Sequence, residues 1–311
     1  MQERKNKLRA LLLIALLLTT TAAYYFTERD SRPTVDPSLF RVEGLDKVDS
    51  ALLESGGRRI VLNFDGTRWM VNNKHRADAQ MIEVFFATLA QVVPKRPVSE
   101  NMRDSVAASL EKTGIRVSLF TDRELAKEFT VGGNSQKSET YFVSSTDGPF
   151  VMTIPGYRVY AAGVFELDES GWRDKQAFRF NQRNFRSLST TFVRDSDQSF
   201  VITYEDQVFG ISGINEPDTA KLFEYLDGVA LLKAEELYSG GISWVDSLMA
   251  LQPSFSVEVT DTQGRVRKLV VYPPVSNQQQ VIGIMGEEAA LFQKKDIVRI
   301  AKKRSYFQKS Q

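Results

Sequence analysis

The chain contains no cysteine and a single histidine, His75. The first absence excludes a disulfide framework, a thiol nucleophile, a cysteine-ligated zinc or iron–sulfur centre and a lipidated cysteine anchor. The second excludes a His-rich metal centre. An excess of one charge is missing too. Forty Lys and Arg face 39 Asp and Glu, which excludes a generally basic nucleic-acid binder while leaving room for a local patch. At 42% hydrophobic and 25% charged residues, the composition fits neither a disordered polymer nor a polytopic membrane protein. Aspartate-rich calcium loops of the EF-hand pattern and a Gly-x-Ser-x-Gly elbow are also absent.

What is present begins at the N-terminus. Arg4, Lys5, Lys7 and Arg9 precede an uncharged run from Ala10 to Phe26 that closes on Tyr24, Tyr25 and Phe26. Seventeen helical residues would rise about 26 Å, near the ~30 Å hydrocarbon layer once tilt or thinning is allowed. Terminal aromatics suit the interfacial belt, and the leading cations orient the N-terminus to the cytoplasm. A cleaved signal peptide, with Thr21 and Ala23 as its small residues, is the alternative. The length of the run and its bulky aromatic end favour an uncleaved anchor. On either reading the remainder is exported and folds without disulfides. The expected organisation is a basic tail over 1–9, an anchor over 10–26 and a tether over 27–40. Two α+β repeats over 41–180 and 181–311 follow, the second with a basic C-terminal tail. For a bacterial chain this places the protein in the inner membrane, single-pass, with its bulk in the periplasm.

Two strands, Arg59 to Phe64 and Thr67 to Val71, flank Asp65-Gly66, a type I′ turn signal. Ile82, Phe85, Phe86, Leu89 and Val92 then recur at helical spacing behind Asp78. A second helix is expected from Ser99 to Gly114 through Met102, Val106 and Leu110. Further strands are expected over Ile115–Phe120, Glu128–Val131, Tyr141–Val143 and Phe150–Ile154. Shifting this reading by 140 residues reproduces it. Ile60, Leu62 and Trp69 fall on Phe200, Ile202 and Phe209, Asp78 on Asp218, and Phe85 and Leu89 on Tyr225 and Val229. A constant offset across several element types argues for a divergent tandem duplication. The fold class expected is therefore α+β, each repeat an antiparallel sheet with helices on one face. The sequence permits either separate sheets or one continuous sheet.

Trp69 to Val93 combines a strand ending in an aromatic residue, a turn and an amphipathic helix. Tyr141-Phe142-Val143 leads to a turn at Asp147-Gly148 and then to Val164–Ala177 with Trp172-Arg173-Asp174-Lys175. Together these resemble the bacterial domain-of-unknown-function family numbered 4340, over most of residues 40 to 307. The resemblance implies a single N-terminal anchor and kinship with domains in auxiliary proteins of ABC transporters, including those of gliding motility. No second transmembrane helix of the transporter auxiliaries is visible, and the family supplies no catalytic residues to carry over.

Few side chains offer chemistry. His75 sits in a polar turn with Asp78 as its nearest acid, and its counterpart is Asn215, which fits a turn residue better than a general base. Trp172 and Arg173 form a candidate partner interface, since Trp and Arg dominate binding hot spots; the competing reading buries Trp172 over a sheet end. Asp122/Glu124, Glu235/Glu236 and Glu287/Glu288 are adjacent in the chain, which does not set two carboxyls across a cleft. Gly132-Gly133-Asn134-Ser135 lacks the Lys-Ser/Thr ending of a phosphate loop and reads as a connection between strands. Between residues 294 and 309 seven cations face only Asp296. Lys302, Lys303, Arg304 and Phe307 there are candidates for a partner- or membrane-binding face, against Asp296–Ile300 as a last strand before a basic tail. No cofactor, metal site or nucleic-acid partner is expected. The function expected is a non-enzymatic, membrane-anchored accessory or scaffold protein of the cell envelope that docks onto a larger membrane-protein assembly, possessing sheet edges open to strand addition. The alternative is a ligand-binding module for envelope lipid or glycan.

Overall fold

A computed structural model describes residues 13–21, 35–238, 250–274 and 279–309. The fold is α+β, built on antiparallel sheets with few helices. Of the expected anchor, residues 13–21 are described and are helical. Nine such residues rise only about 14 Å. Among the described residues no helix is long and apolar enough to cross a membrane. The rest of the 10–26 run, and the tether up to residue 34, lie outside the described residues.

The chain forms two compact units, Met1–Arg59 with Val84–Glu166, and Ile60–Glu83 with Leu167–Gln311. In the first, strands β1 (Ser50–Ser55), β5 (Val93–Pro97), β6 (Ile115–Thr121), β7 (Glu124–Asn134), β8 (Glu139–Val143) and β9 (Phe150–Thr153) run antiparallel in the order β1-β6-β7-β8-β9-β5. Alternation of apolar residues drives Val117, Leu119, Phe129, Val131 and Phe142 to the interior. Aromatic rings fill it. Phe129 stacks on Phe142 at 4.8 Å, and Phe40 meets Phe142 edge-on at 5.4 Å, geometries that suit the ring quadrupole. Helix α2 (Glu100–Thr113) contributes only Val106 and Leu110 to a satellite core with Val98 and Val151.

In the second unit, β2 (Arg58–Phe64, from Ile60 on), β3 (Trp69–Val71) and β4 (His75–Arg76) form an antiparallel run. An eight-stranded sheet follows from β10 (Phe185–Phe192), β11 (Phe200–Glu205), β12 (Val208–Ile211), β13 (Glu236–Tyr238), β14 (Phe255–Asp261), β15 (Val266–Val271), β16 (Gln280–Met285) and β17 (Glu288–Gln293). Its order is β12-β11-β10-β14-β15-β16-β17-β13. Helix α4 (Thr219–Ala230) buries Leu222, Tyr225, Leu226 and Val229, one helical stripe, in a core with Phe200, Val257 and Phe292. The Tyr225 hydroxyl shares a 2.7 Å hydrogen bond with Thr190, so its burial leaves no orphaned polar atom. Helix α1 (Ala79–Gln91) runs through the point where one unit passes to the other.

Three local expectations are corrected. Asp65-Gly66 is not a two-residue hairpin loop: Phe64 pairs with Trp69, and Asp65 Oδ1 accepts the Thr67 and Arg68 amides at 2.9 Å each. This local capping stabilises a four-residue loop instead. Two-residue turns with positive φ at both positions occur at Asp122-Arg123 and Asp206-Gln207, where no glycine signals them. Secondly, Gly132 and Gly133 lie within β7 rather than in a connecting loop. A Cβ on Gly133 would lie 2.1 Å from the Glu139 carbonyl oxygen, so glycine there permits a close backbone approach. Thirdly, Asp296–Ile300 belongs to a short helix, α5 (Lys294–Ile300), not to a strand. Ile297 and Ile300, three apart, are its buried residues, a helical spacing that overrides the β-branched run.

Candidate functional site

The loop before β4 and β4 itself bring Lys74, His75 and Arg76 to one side of the second unit. A short helix, α3 (Glu169–Trp172), is followed by an extended segment that returns beside them. The Asp174 amide donates to the Arg76 carbonyl at 2.9 Å, and Ala77 bridges Arg173. The same segment is held on its far side, with the Ala177 amide donating to Leu232 and the Ala234 amide to Lys175, both at 2.9 Å. Together with β15 and the end of β16, these elements line a cleft of about 360 Å³. Its charged lining comprises Lys74, Arg76, Arg173, Arg179, Arg267 and Lys268 against one carboxylate, Asp174.

Asp174 is the hub. It accepts from Arg179 Nη2 at 2.5 Å, lies 3.7 Å from Arg76 Nε, and takes the Gln176 amide at 3.0 Å. Arg179 Nε–H is buried and has no acceptor among the described residues. Arg267 makes no ion pair or side-chain hydrogen bond among them. Although its side chain reaches the surface, loss of hydration and then the Arg179 and Arg265 cations hold its guanidinium below the ordinary value, with Asp174 pulling the other way. Arg173, only 6% exposed, is committed elsewhere: both of its Nη groups engage the carboxylate of Glu288, Nη1 at 3.0 Å from Oε1. Lys268 lies 3.8 Å from Glu258, and Arg265 2.7 Å from Asp261.

His75 lies beside this cleft with Nε2 at 3.4 Å from Glu169, whose other oxygen accepts from Asn72 at 2.7 Å. Burial, and then the Arg173 cation, hold its imidazole below its ordinary value, so it is neutral at neutral pH. Among the described residues no group of three or more His, Asp or Glu is placed to hold a metal ion.

Next to the cleft, Asp78 caps α1. Its Oδ1 accepts the Gln80 amide at 2.9 Å, its own amide donates to the Trp172 carbonyl at 2.8 Å, and Lys233 Nζ lies 2.5 Å from Oδ2. Burial raises its pKa, but the Lys233 hydrogen bond and charge, with the Met81 and Gln80 amides, outweigh it, and the net shift is downward. A depressed carboxylate contributes stability that is present above its unfolded pKa of about 3.9 and is lost as pH falls through the folded value. Wild type should therefore exceed Asp78→Asn in urea midpoint at pH 6, and the gap should close progressively below about pH 4. A gap independent of pH between 3 and 7 would contradict this account.

The sequence candidates fall in other places. Trp172 and Phe307 are fully buried, so neither is a surface anchor. Phe307 sits edge-on to Phe200 at 4.9 Å and to Tyr225 at 5.3 Å. Arg173 faces Glu288 in the interior, not a partner. Some of the C-terminal cations are paired with acids elsewhere in the chain. Lys303 pairs with Asp195 at 2.8 Å, Lys309 with Glu216 at 2.9 Å, and Lys302 Nζ lies 4.9 Å from the centre of the Tyr306 ring. Arg304 Nη1 lies 3.0 Å from where a Gly213 Cβ would stand. The partners of Lys303 and Lys309 lie 108 and 93 positions away, which a charge count along the chain does not register. Apart from Arg173, the cleft cations went unnoticed for the same reason: they come from three segments far apart in the chain, Lys74–Arg76, Arg173–Arg179 and Arg267–Lys268.

A family model for the domain of unknown function DUF4340 matches residues 69–243, 175 of the 311 residues. The chain belongs to this family. No curated protein and no solved structure matches it.

Proposed function

We propose that this member of the DUF4340 family is a non-catalytic accessory protein of the bacterial cell envelope. It is tethered to the inner membrane through residues 10–26, carries its bulk in the periplasm, and holds a partner assembly rather than transforming a substrate. The observation that carries the reading is the commitment of the acids around the cleft. Asp174 is engaged by Arg76 and Arg179, Glu288 by Arg173, Asp78 by Lys233, and Glu169 by Asn72 and His75. General acid–base work needs a group free to exchange a proton with substrate. Asp174, Glu288 and Asp78 instead hold cations in place, and Glu169 holds the Asn72 amide, an arrangement suited to binding.

The architecture is read as two fused copies of one module. In support, the run β1-β6-β7-β8-β9-β5 has the same order as β10-β14-β15-β16-β17-β13. Ala79 opens α1 and Thr219 opens α4, and Ile115 opens β6 and Phe255 opens β14, both 140 residues apart. Each long helix is locked alike: Asp78 donates to the Trp172 carbonyl and Asp218 to the Phe307 carbonyl, both at 2.8 Å. Fused modules present two similar frameworks on which different surfaces can diverge.

The test is recovery of the full-length protein from its own membranes in mild detergent, with mass spectrometry of what accompanies it. A reproducible, stoichiometric set of envelope proteins is expected. Recovery alone, with the N-terminal run intact, would overturn the accessory reading. Weight would then move to the second reading, a module binding a lipid or glycan ligand, which the excess of cations in the cleft favours.

A further inference from the structure

The unbalanced part of the cleft specifies its ligand. Three guanidinium groups, Arg76, Arg179 and Arg267, share the cleft with the single carboxylate of Asp174, which holds the first two. The other acids near them are spent: Glu288 on Arg173, Glu258 on Lys268 and Asp261 on Arg265. Two positive charges are left without a counter-ion inside the unit before Lys74, also in the lining, is counted. Like charges held this close repel, and an anion entering the cleft relieves that repulsion. One donor set is wholly free to receive it, the fork of Arg267, which makes no ion pair or side-chain hydrogen bond among the described residues. Arg179 lines the cleft with it, its Nη2 on Asp174 and its buried Nε–H without an acceptor among the described residues. Planar guanidinium forks match tetrahedral phosphate oxygens two at a time, which a single-point carboxylate–lysine contact does not. The volume, about 360 Å³, suits a small group rather than a polymer.

We propose that this cleft is a binding site for a dianionic phosphate group, free phosphate or a phosphate monoester, received by Arg267 and Arg179 with Arg76 behind them and with Asp174 positioning the latter two. The inference rests on reading the cleft as a binding rather than a catalytic site. A dianion neutralises the two uncompensated charges, whereas a phosphodiester or a carboxylate supplies one. Because the same group is presented by a soluble ion and by the head of phosphatidic acid, the source is a matter for experiment.

Full-length protein in detergent is titrated calorimetrically with inorganic phosphate, with chloride at matched ionic strength, with dihexanoyl phosphatidic acid, and with the corresponding phosphatidylglycerol, a diester. Saturable binding of a monoester or of phosphate over chloride is expected. Arg267→Gln should weaken it roughly ten- to a hundredfold, the loss of a charge-assisted bidentate contact. Arg267 is exposed and only repelling charge is removed, so its variant should melt at or slightly above wild type without ligand. Arg179→Lys, which keeps the charge and removes the fork, should weaken binding as well; if it does not fold, Arg267→Gln decides alone. Phosphatidic acid binding tenfold or more tighter than phosphate identifies a lipid source, and comparable or weaker binding a soluble one; both uphold the site. Chloride or the diester matching the monoester, or unchanged binding in Arg267→Gln, overturns it. Membrane co-purification is scored independently. Captured partners without phosphate binding remove only this inference, and phosphate binding without partners removes only the accessory reading.

Discussion

Trp172→Ala is expected to lower the unfolding free energy by about 3–5 kcal/mol, the range for deleting a buried large aromatic side chain. Trp172 has no exposed surface and is the largest of the fully buried side chains among the described residues. It ends the short helix α3, whose start is fixed by Asp168 accepting the Gly171 amide at 2.7 Å. Its carbonyl receives the Asp78 amide at the start of α1. The substitution therefore removes packing beneath a backbone lock. Loosening there should also reach the segment Arg173–Arg179 that carries Asp174. The check is a urea midpoint together with amide exchange at Asp78. Trp172→Phe, which retains most of the apolar volume, should lose roughly half as much. Phe307→Ala, at the matching lock on Asp218, should cost about 3–5 kcal/mol as well. Unchanged stability of Trp172→Ala together with loss of captured partners would return Trp172 to the surface, where the sequence alone allowed it to be.

Arg173→Met is expected to be the next most damaging change, by about 3 kcal/mol. The low end of the range for breaking a buried ion pair applies because Glu288 retains some contact with solvent. The Arg173 side chain is 8% exposed and that of Glu288 28%, so removing the arginine strands a carboxylate with little water to compensate it. Glu288→Gln should cost less, since a neutral amide can still accept from the guanidinium. Replacing both, Arg173→Met with Glu288→Leu, should recover most of the loss, because no charge is then left buried. A double-mutant cycle in urea measures the coupling. Additive losses, with no recovery in the double variant, would mean that the pair is not a coupled unit.

Much of the fold was legible because burial is periodic. Strand β14 alternates buried and half-buried residues without a break from Phe255 to Asp261, the period-2 pattern that sequence reading detects. The stripe Leu222, Tyr225, Leu226 and Val229 is equally plain at helical spacing. Caps were legible in part: Ser99 precedes α2 as expected but makes no side-chain capping hydrogen bond. Asp218 accepts the Ala220 and Lys221 amides as its place before the stripe suggests. Turns were less so. Asp122-Arg123 adopts positive φ at both residues without glycine, because the closed hairpin supplies the energy that a bare dipeptide lacks. The partners of Lys303 and Lys309 were hidden for a related reason: Asp195 and Glu216 are brought by the chain's return, and their distance in sequence conceals them.

The sequence by itself determined the fold class, the position of most strands and helices, the resemblance to the family and the absence of cysteine chemistry. Each of these follows from residue type and short-range spacing, quantities that do not depend on what the chain later meets. Tertiary structure alone decided that Trp172 and Phe307 are interior, that Arg173 belongs to Glu288, and that Arg76 and Arg179 meet on Asp174 in a cleft that Arg267 also lines. Electrostatic energy depends on separation in space and on local hydration, and 191 residues separate Arg76 from Arg267 along the chain. A cation in this protein therefore acquires its role only once folding has chosen its neighbours.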